Sequence, residues 1–127
     1  MKKIITLLFL MSFLCVGSIA QELVGNSFYL MEDKTTTGTG TIFKNGPTEN
    51  YRFEVTFTGS ITALTVRLNG GLSDETLFPE ETYTLDADDI SAGKAAFTGS
   101  NAYVNFVQAE IVTFTGTGTV TIKYSKF

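Results

Sequence analysis

Alternation between apolar and polar residues is the feature that most constrains how this chain folds. Between Tyr51 and Thr58 every second residue is aromatic or aliphatic, namely Tyr51, Phe53, Val55 and Phe57. Because successive side chains of a β-strand point to opposite faces, this segment is predicted to be a strand with one buried and one solvent-facing side. The run Ile61–Leu68 is predicted to be the next strand, and Gly59-Ser60 between the two runs predicts the turn of a β-hairpin.

Six further segments combine β-branched and aromatic residues with glycine-containing turns, which predicts strands. They are Ser27–Met31, Thr36–Lys44, Thr82–Asp86, Lys94–Thr98, Tyr103–Thr113 and Gly118–Tyr124. The segment Ser73–Glu81, which Pro79 interrupts, and the acidic segment Asp86–Gly93 are predicted to be loops that can hold a helical turn. No window shows sustained helical periodicity.

The spacing of these strands indicates the fold class. About eight short strands in one domain-sized chain predict an all-β protein built as an antiparallel β-sandwich. Jelly-roll and immunoglobulin-like topologies both fit this pattern, and so does a small barrel. The cysteine and tryptophan signature of immunoglobulin domains is absent, because the chain has no tryptophan and a single cysteine, Cys15.

Residues 1–20 have the layout of a secretory signal peptide. The positively charged start Met1-Lys2-Lys3 precedes an apolar run from Ile4 to Val16. Ser18-Ile19-Ala20 places small residues where signal peptidase reads them, so cleavage is predicted before Gln21. A single sandwich domain over residues 21–127 is therefore expected, exported to the periplasm, the cell surface or the medium.

Two alternatives concern the same N-terminal segment. It could remain as a membrane anchor, although Gly17-Ser18 ends the apolar run short of the about 20 residues that a spanning helix needs. Cys15 could be lipidated, but the bulky Phe13-Leu14 before it is unlike the small residue that lipoproteins carry there. Cleavage is the preferred interpretation, and it leaves no membrane attachment in the mature chain.

Charge and composition exclude several classes of function. Loss of Lys2 and Lys3 with the signal peptide lowers the formal charge from −4 to −6, which disfavours nucleic acid as a partner. The chain contains no histidine, and its one cysteine leaves with the signal peptide. Histidine- and cysteine-dependent catalysis and ordinary zinc sites are therefore excluded. No catalytic residue and no cofactor is predicted.

The acidic residues are the remaining candidates for chemistry. A pair of carboxylates could hydrolyse a glycosidic bond, and the available ones are Glu80, Glu81, Asp86, Asp88 and Asp89. Asp86, Asp88 and Asp89 are also weak candidates for Ca²⁺ ligands, since closely spaced loop carboxylates suit that ion. The segment lacks the glycine and distal glutamate of an EF-hand loop, and a solvated acidic turn is the preferred interpretation.

Tyr103 and Asn105 are candidates for ligand binding. In the sequence Tyr103-Val104-Asn105-Phe106 an aromatic ring and an amide can share a solvent-facing side, as sugar-binding sandwiches require. The alternative is that both residues pack in the core or along a sheet edge. The chain has 5 Tyr and 11 Phe but no Trp, the residue best suited to stacking on sugar rings.

Several threonine- and glycine-rich stretches carry a resemblance. They are Phe57–Gly71, Tyr83-Thr84-Leu85, Tyr103–Ile111 and Phe114–Ile122. With these stretches the chain resembles β-sandwich modules of bacteriophage virions, in tail, fibre or decoration proteins whose final strand is rich in Gly-Thr-Gly. The resemblance implies a structural or attachment role in an assembly and supplies no catalytic residues. The signal peptide departs from that pattern and is similar to those of exported proteins of Bacteroidetes-type bacteria.

The sequence thus favours an exported, non-enzymatic structural or interaction protein, either a cell-surface assembly component or, if phage-encoded, a virion-associated one. Protein partners or self-association through sheet edges are expected. The alternative is a secreted carbohydrate-binding module with a glycan as ligand.

Overall fold

The computed structural model describes residues 27–46, 50–100 and 104–127, so residues 1–20 and Tyr103 lie outside the described part. The described residues form seven antiparallel strands and one short helix, in agreement with the all-β prediction. The elements are β1 Ser27–Lys34, β2 Gly38–Thr39, β3 Phe43–Lys44, β4 Tyr51–Gly71, β5 Phe78–Thr84, α1 Ala87–Ala92, β6 Lys94–Gly99 and β7 Phe106–Lys126. Within these residues no helix is long and apolar enough to cross a membrane.

The two longest strands, β4 and β7, run antiparallel along their whole length, with Tyr51 opposite Lys126 at one end and Gly71 opposite Phe106 at the other. The hairpin predicted at Gly59-Ser60 is therefore wrong, because the chain continues through these residues as one strand. The break predicted between Tyr103–Thr113 and Gly118–Tyr124 is wrong for the same reason, since β7 spans both segments.

Glycines at the middle of this pair explain both errors. Gly59 lies opposite Gly118 and Ile61 opposite Gly116, and all three glycines have positive φ. A Cβ on any of them would come closer than 3.0 Å to backbone atoms of the facing strand. The glycines therefore permit a sharp bend and a close approach within paired strands, where the sequence pattern predicted chain reversal.

One β-bulge in each long strand keeps the apolar side chains facing inward. In β4 the buried positions change from Phe53 and Val55 to Leu64 and Val66, across a register shift between Ile61 and Ala63. In β7 the buried residues have odd numbers before a second register shift and even numbers after it. This shift lies opposite Thr65 and Val66. An extra residue inverts the alternation of side chains, so both halves of each strand present their apolar face to one core.

The bent strands divide the sheet into two half-sheets that pack face to face. The first has the order β1-β7-β4-β6 and the second has β2 and β3 beside β7, followed by β4 and β5. Contacts between the half-sheets include a 3.2 Å hydrogen bond joining the Tyr51 and Tyr83 hydroxyls, and stacking of Tyr83 on Phe97 at 3.9 Å. This order is that of a jelly roll, which resolves the topology left open by the sequence.

Three tyrosines bring their hydroxyl groups into this interior. Burial raises the pKa of Tyr124 to about 12, and its hydroxyl accepts a 3.1 Å hydrogen bond from Asn45 Nδ2. Burial also raises the pKa of Tyr51 and of Tyr83 above the usual range. The hydrogen bonds satisfy groups that would otherwise oppose burial of these rings.

The shorter elements differ from the sequence-based prediction at two more boundaries. Strand β5 begins at Phe78, inside the segment Ser73–Glu81 that was predicted as a loop, because Pro79 is tolerated on an edge strand beside a register shift. The predicted strand Thr36–Lys44 is paired only in β2 and β3. The acidic segment Asp86–Gly93 contains α1, whose C-cap residue, Gly93, has the left-handed conformation.

Candidate functional site

A cleft of about 380 Å³ opens at the end of the sandwich where β4 leads into β5. We call it the loop-end cleft. Its lining residues are Gly70, Gly71, Leu72, Ser73, Thr76, Phe78, Glu80 and Val104. This volume lies within the roughly 300–1,000 Å³ range of small-ligand sites, and it could also hold several side chains of a partner protein.

Two large apolar side chains of this cleft face solvent. Leu72 is 72% exposed and Phe78 is 62% exposed. Folding normally removes such side chains from water, and two of them beside one cavity are typical of a contact surface. The buried side chain of Val104 completes the apolar lining.

Glycines at the end of β4 give the cleft its floor. Gly70 pairs with Phe78 across β4 and β5. A Cβ on Gly70 would come within 2.9 Å of Glu80 Cγ and Val104 Cγ1. A Cβ on Gly71 would collide with the Thr76 carbonyl oxygen. Side chains at these two positions would therefore fill the cleft or displace its walls.

Backbone hydrogen bonds hold the wall that contains Val104. The Asn105 N–H donates to the Gly71 carbonyl oxygen at 3.0 Å, and the Asn105 carbonyl oxygen accepts from the Asn45 N–H at 2.7 Å. Three chain segments are thus joined at the rim of the cleft. Fixed backbone of this kind preorganises a binding surface and lowers the entropy lost on binding.

The candidates Tyr103 and Asn105 flank Val104 in the sequence. Asn105 is half-buried and contributes its backbone to the wall, while its side chain is not part of the lining. Tyr103 lies outside the described residues, so its role stays a prediction. The two candidates therefore border the cleft wall and stay predictions, whereas Leu72 and Phe78 were not among the candidates taken from the sequence.

The cleft lining also includes polar groups. Glu80 contributes a carboxylate, and Ser73 and Thr76 contribute hydroxyl groups that can donate and accept hydrogen bonds. The connecting segment between β4 and β5 also carries Asp74 and Glu75, which are exposed. An apolar cleft with acidic residues in its lining and in the adjoining segment suits an apolar group that lies next to a cation.

The carboxylates proposed as Ca²⁺ ligands have a structural use. Asp86 is the N-cap of α1, and its Oδ1 accepts hydrogen bonds of 2.9 Å from the N–H groups of Asp88 and Asp89. Asp89 Oδ2 in turn accepts from the Asp86 N–H at 3.4 Å, which completes a capping box. In the described part of the chain no three acidic, histidine or cysteine side chains are grouped to hold a metal ion.

The five carboxylates considered for glycoside hydrolysis do not all lie at the cleft. Glu80 is the one member of that set that lines the loop-end cleft, and Asp86 and Asp89 cap the helix.

A polar network on the outer face of the second half-sheet supports the floor of the cleft. Glu110 Oε2 accepts hydrogen bonds from Asn69 Nδ2 at 3.1 Å and from Arg67 Nη1 at 3.3 Å. Arg67 Nε also donates to Thr82 Oγ1 at 3.2 Å, so the network ties β7, β4 and β5 together. Asn69 immediately precedes Gly70 and is only 7% exposed, which fixes the strand end below the cleft.

Comparison with known proteins finds similar folds and no relative in sequence. The chain matches no protein-family model and no curated protein sequence. Similar solved structures include the SPBc2 prophage-derived protein YomS, with 19% identity, a TM-score of 0.49 and coverage of 77% of this chain and 88% of that one. The C-terminal carbohydrate-binding module CBM6 of LamC, a marine laminarinase from Zobellia galactanivorans, has 9% identity, a TM-score of 0.49 and coverage of 80% and 100%.

A third similar structure is the Yersinia pseudotuberculosis-derived mitogen, with 13% identity, a TM-score of 0.41 and coverage of 82% of this chain and 88% of that one. Likenesses of this degree carry no conclusion about what this chain binds.

Proposed function

We propose that this chain is an exported, non-enzymatic interaction protein that binds a protein partner through the loop-end cleft. The observation that carries the proposal is the exposure of Leu72 and Phe78 beside one cavity on a fixed backbone. Residues 1–20 would direct export, and the protein would act at the cell surface, in the periplasm or medium, or on a virion.

Burial of the two exposed side chains would drive binding. Fully burying a side chain of this size gains roughly 1.5–3 kcal/mol for each residue. Binding energy at interfaces is concentrated in a few such anchors that become desolvated at the centre of the contact. Leu72 and Phe78 are the anchors of this cleft, and Val104 is the surface on which an inserted partner side chain would rest.

Charge indicates what should flank the inserted group. The cleft lining includes Glu80, and the segment between β4 and β5 carries Asp74 and Glu75. The formal charge of the full chain is −4, so its overall field also favours a basic partner. The expected partner segment therefore has an aliphatic or aromatic residue next to lysine or arginine.

A library of phage-displayed random peptides, panned against the protein expressed from the full chain, tests this proposal. Selected peptides should combine an apolar residue with a basic neighbour. Phe78→Ala and Leu72→Ser should each weaken their binding about 10-fold or more, as loss of a central anchor does. Phe127→Ala is the matched control, because Phe127 is 69% exposed and lies outside the cleft. Equal binding by wild type and Phe78→Ala would contradict the proposal.

A secreted carbohydrate-binding module is the second candidate, and the polar side chains that line the same cleft favour it. A sugar ring could stack on Phe78 while its hydroxyl groups bond to Glu80, Ser73 or Thr76. A glycan array separates the two candidates. Protein binding predicts a silent array, whereas glycan binding that is lost in Phe78→Ala or Tyr103→Ala would replace the first candidate with the second.

A further inference from the structure

Among the residues that the structure describes, strand β6 is an open edge of the first half-sheet, since it pairs there with β4 alone. Exposed edge strands present unpaired N–H and C=O groups and serve as templates for another strand. Natural sheets protect such edges with charges, proline, bulges or short strands. The edges of this sandwich differ in how far they are protected.

The other edges carry these protections. Strand β1 has two register shifts and ends in Glu32-Asp33-Lys34, with Asp33 at a φ of 47°. Strands β2 and β3 are two residues long each. Strand β5 contains Pro79 followed by Glu80 and Glu81.

Strand β6 lacks a proline, a bulge and charges along most of its length. Its residues Ala95–Gly99 include no proline and no charge, and its register with β4 is continuous from Lys94 to Gly99. The one charged residue of β6 is Lys94, at its start.

The backbone groups that point away from β4 follow from the hydrogen-bond pattern. The Phe57 N–H donates to the Gly93 carbonyl oxygen at 3.0 Å, in register with the β4–β6 pairing. Bonded and non-bonded pairs alternate in antiparallel sheets, so Ala95, Phe97 and Gly99 also bond to β4. Lys94, Ala96 and Thr98 therefore direct their N–H and C=O groups outward, and within the described residues no hydrogen bond reaches these groups.

We propose that β6 pairs antiparallel with β6 of a second copy of this chain, about a two-fold axis through Ala96. This inference is independent of the loop-end cleft. The pairing joins two first half-sheets into one continuous sheet and places Ala96 opposite Ala96 of the second copy.

The register centred on Ala96 is the one that uses all three outward residues of each copy. It places Lys94 opposite Thr98, so no like charges face each other across the axis. On the inner face the half-buried Phe97 lies opposite the small Ala95. A second copy fits this edge because each large or charged group meets a small or neutral one.

Light scattering coupled to size-exclusion chromatography tests the pairing. One strand pair buries less than a standard interface, so we expect a monomer–dimer equilibrium with Kd on the order of 100 µM, visible between about 10 µM and 1 mM. Ala96→Pro removes one outward N–H without touching the bonds to β4 and should raise Kd at least 10-fold. Ala96→Val keeps that N–H and should dimerise as the wild type does.

Hydrogen–deuterium exchange of the wild type gives a second measurement that needs no variant. The amides of Lys94, Ala96 and Thr98 should exchange more slowly as the protein concentration rises. The amides of Ala95 and Phe97, which already bond to β4, should not respond. Phe78→Ala should leave the dimer unchanged, so failure of the cleft and failure of the edge are told apart. A wild type that stays monomeric, concentration-independent exchange, or equal dimerisation by folded Ala96→Pro would each overturn the inference.

Discussion

Replacing Gly118 with alanine perturbs the row of glycines at which the two long strands bend. Gly118 has a φ of 145°, and an added Cβ would collide with the Thr58 carbonyl oxygen on the facing strand. A backbone conformation that is open essentially to glycine alone costs about 1–3 kcal/mol for other residues. Relief of the collision requires the strands to separate, which costs about 1–3 kcal/mol more, as overpacking does.

The expected loss is therefore about 2–6 kcal/mol of the free energy of unfolding, a large part of the about 5–15 kcal/mol typical of a domain. Gly46→Ala is the matched control. Gly46 also has positive φ, at 67°, but an added Cβ would meet nothing within 4 Å. That variant should lose only about 1–2 kcal/mol, the cost of the left-handed conformation.

Urea denaturation followed by circular dichroism measures both losses in the same units. The difference between the two variants isolates the close approach of the facing strands from the cost of positive φ. If Gly118→Ala loses no more stability than Gly46→Ala, the glycine row does not hold the strands together, and the explanation of the bend is wrong.

Three further predictions follow from buried or bonded groups. Burial raises the pKa of Tyr124 to about 12 in the folded state. The stability that the neutral Tyr124 hydroxyl contributes should therefore be complete below about pH 10 and disappear as the pH rises through about 12. Denaturation curves should show a smaller loss of stability at alkaline pH for Tyr124→Phe than for the wild type. Asp86→Ala should cost about 0.5–2 kcal/mol through loss of the N-cap, Asp88→Ala should cost little, and Ca²⁺ should leave the wild-type Tm unchanged. Glu110→Ala should cost about 1–3 kcal/mol because Arg67 and the buried Asn69 lose their acceptor, whereas Glu54→Ala, which breaks the more exposed pair with Arg52, should cost at most about 1 kcal/mol.

Alternation in the sequence was sufficient to predict where most strands lie and which of their faces are buried. Phe53 and Val55 are fully buried, and Ile122 and Tyr124 in the last strand are too. The signal is reliable because it depends only on the two-residue repeat of a strand and on one buried face. The all-β fold class could be predicted from the same alternation.

The long strands could not be predicted because glycine has two uses that look alike in sequence. Gly59 and Gly118 occur in stretches with the composition of turns, and positive φ suits a turn as well as a bend within a strand. Whether such a glycine forms a turn or a bend is decided by the facing strand, which is about 60 residues away in the chain. The change of phase between Ile61 and Leu64 is a local sign of the bulge in β4, which can serve to detect such bends.

The cleft could not be predicted from the sequence because the exposure of its side chains depends on distant segments. Leucine and phenylalanine are residue types usually found in the core. Leu72 and Phe78 remain exposed because nothing among the described residues covers them. Val104 reaches the same cleft through the backbone bond between Asn105 and Gly71. The role of Asp86 could have been found, since aspartate three residues before Asp89 is a capping pattern with Asp in place of Glu.

The measurement that tests the central proposal most directly is a titration of the isotope-labelled protein with a selected peptide, followed by two-dimensional NMR. Binding in the loop-end cleft predicts that the amide signals of Gly71, Leu72, Phe78 and Val104 shift together and saturate at one Kd. The amides of α1 and of β6 should stay unchanged. Shifts confined to those two elements, with the cleft signals unmoved, would show that the partner binds elsewhere.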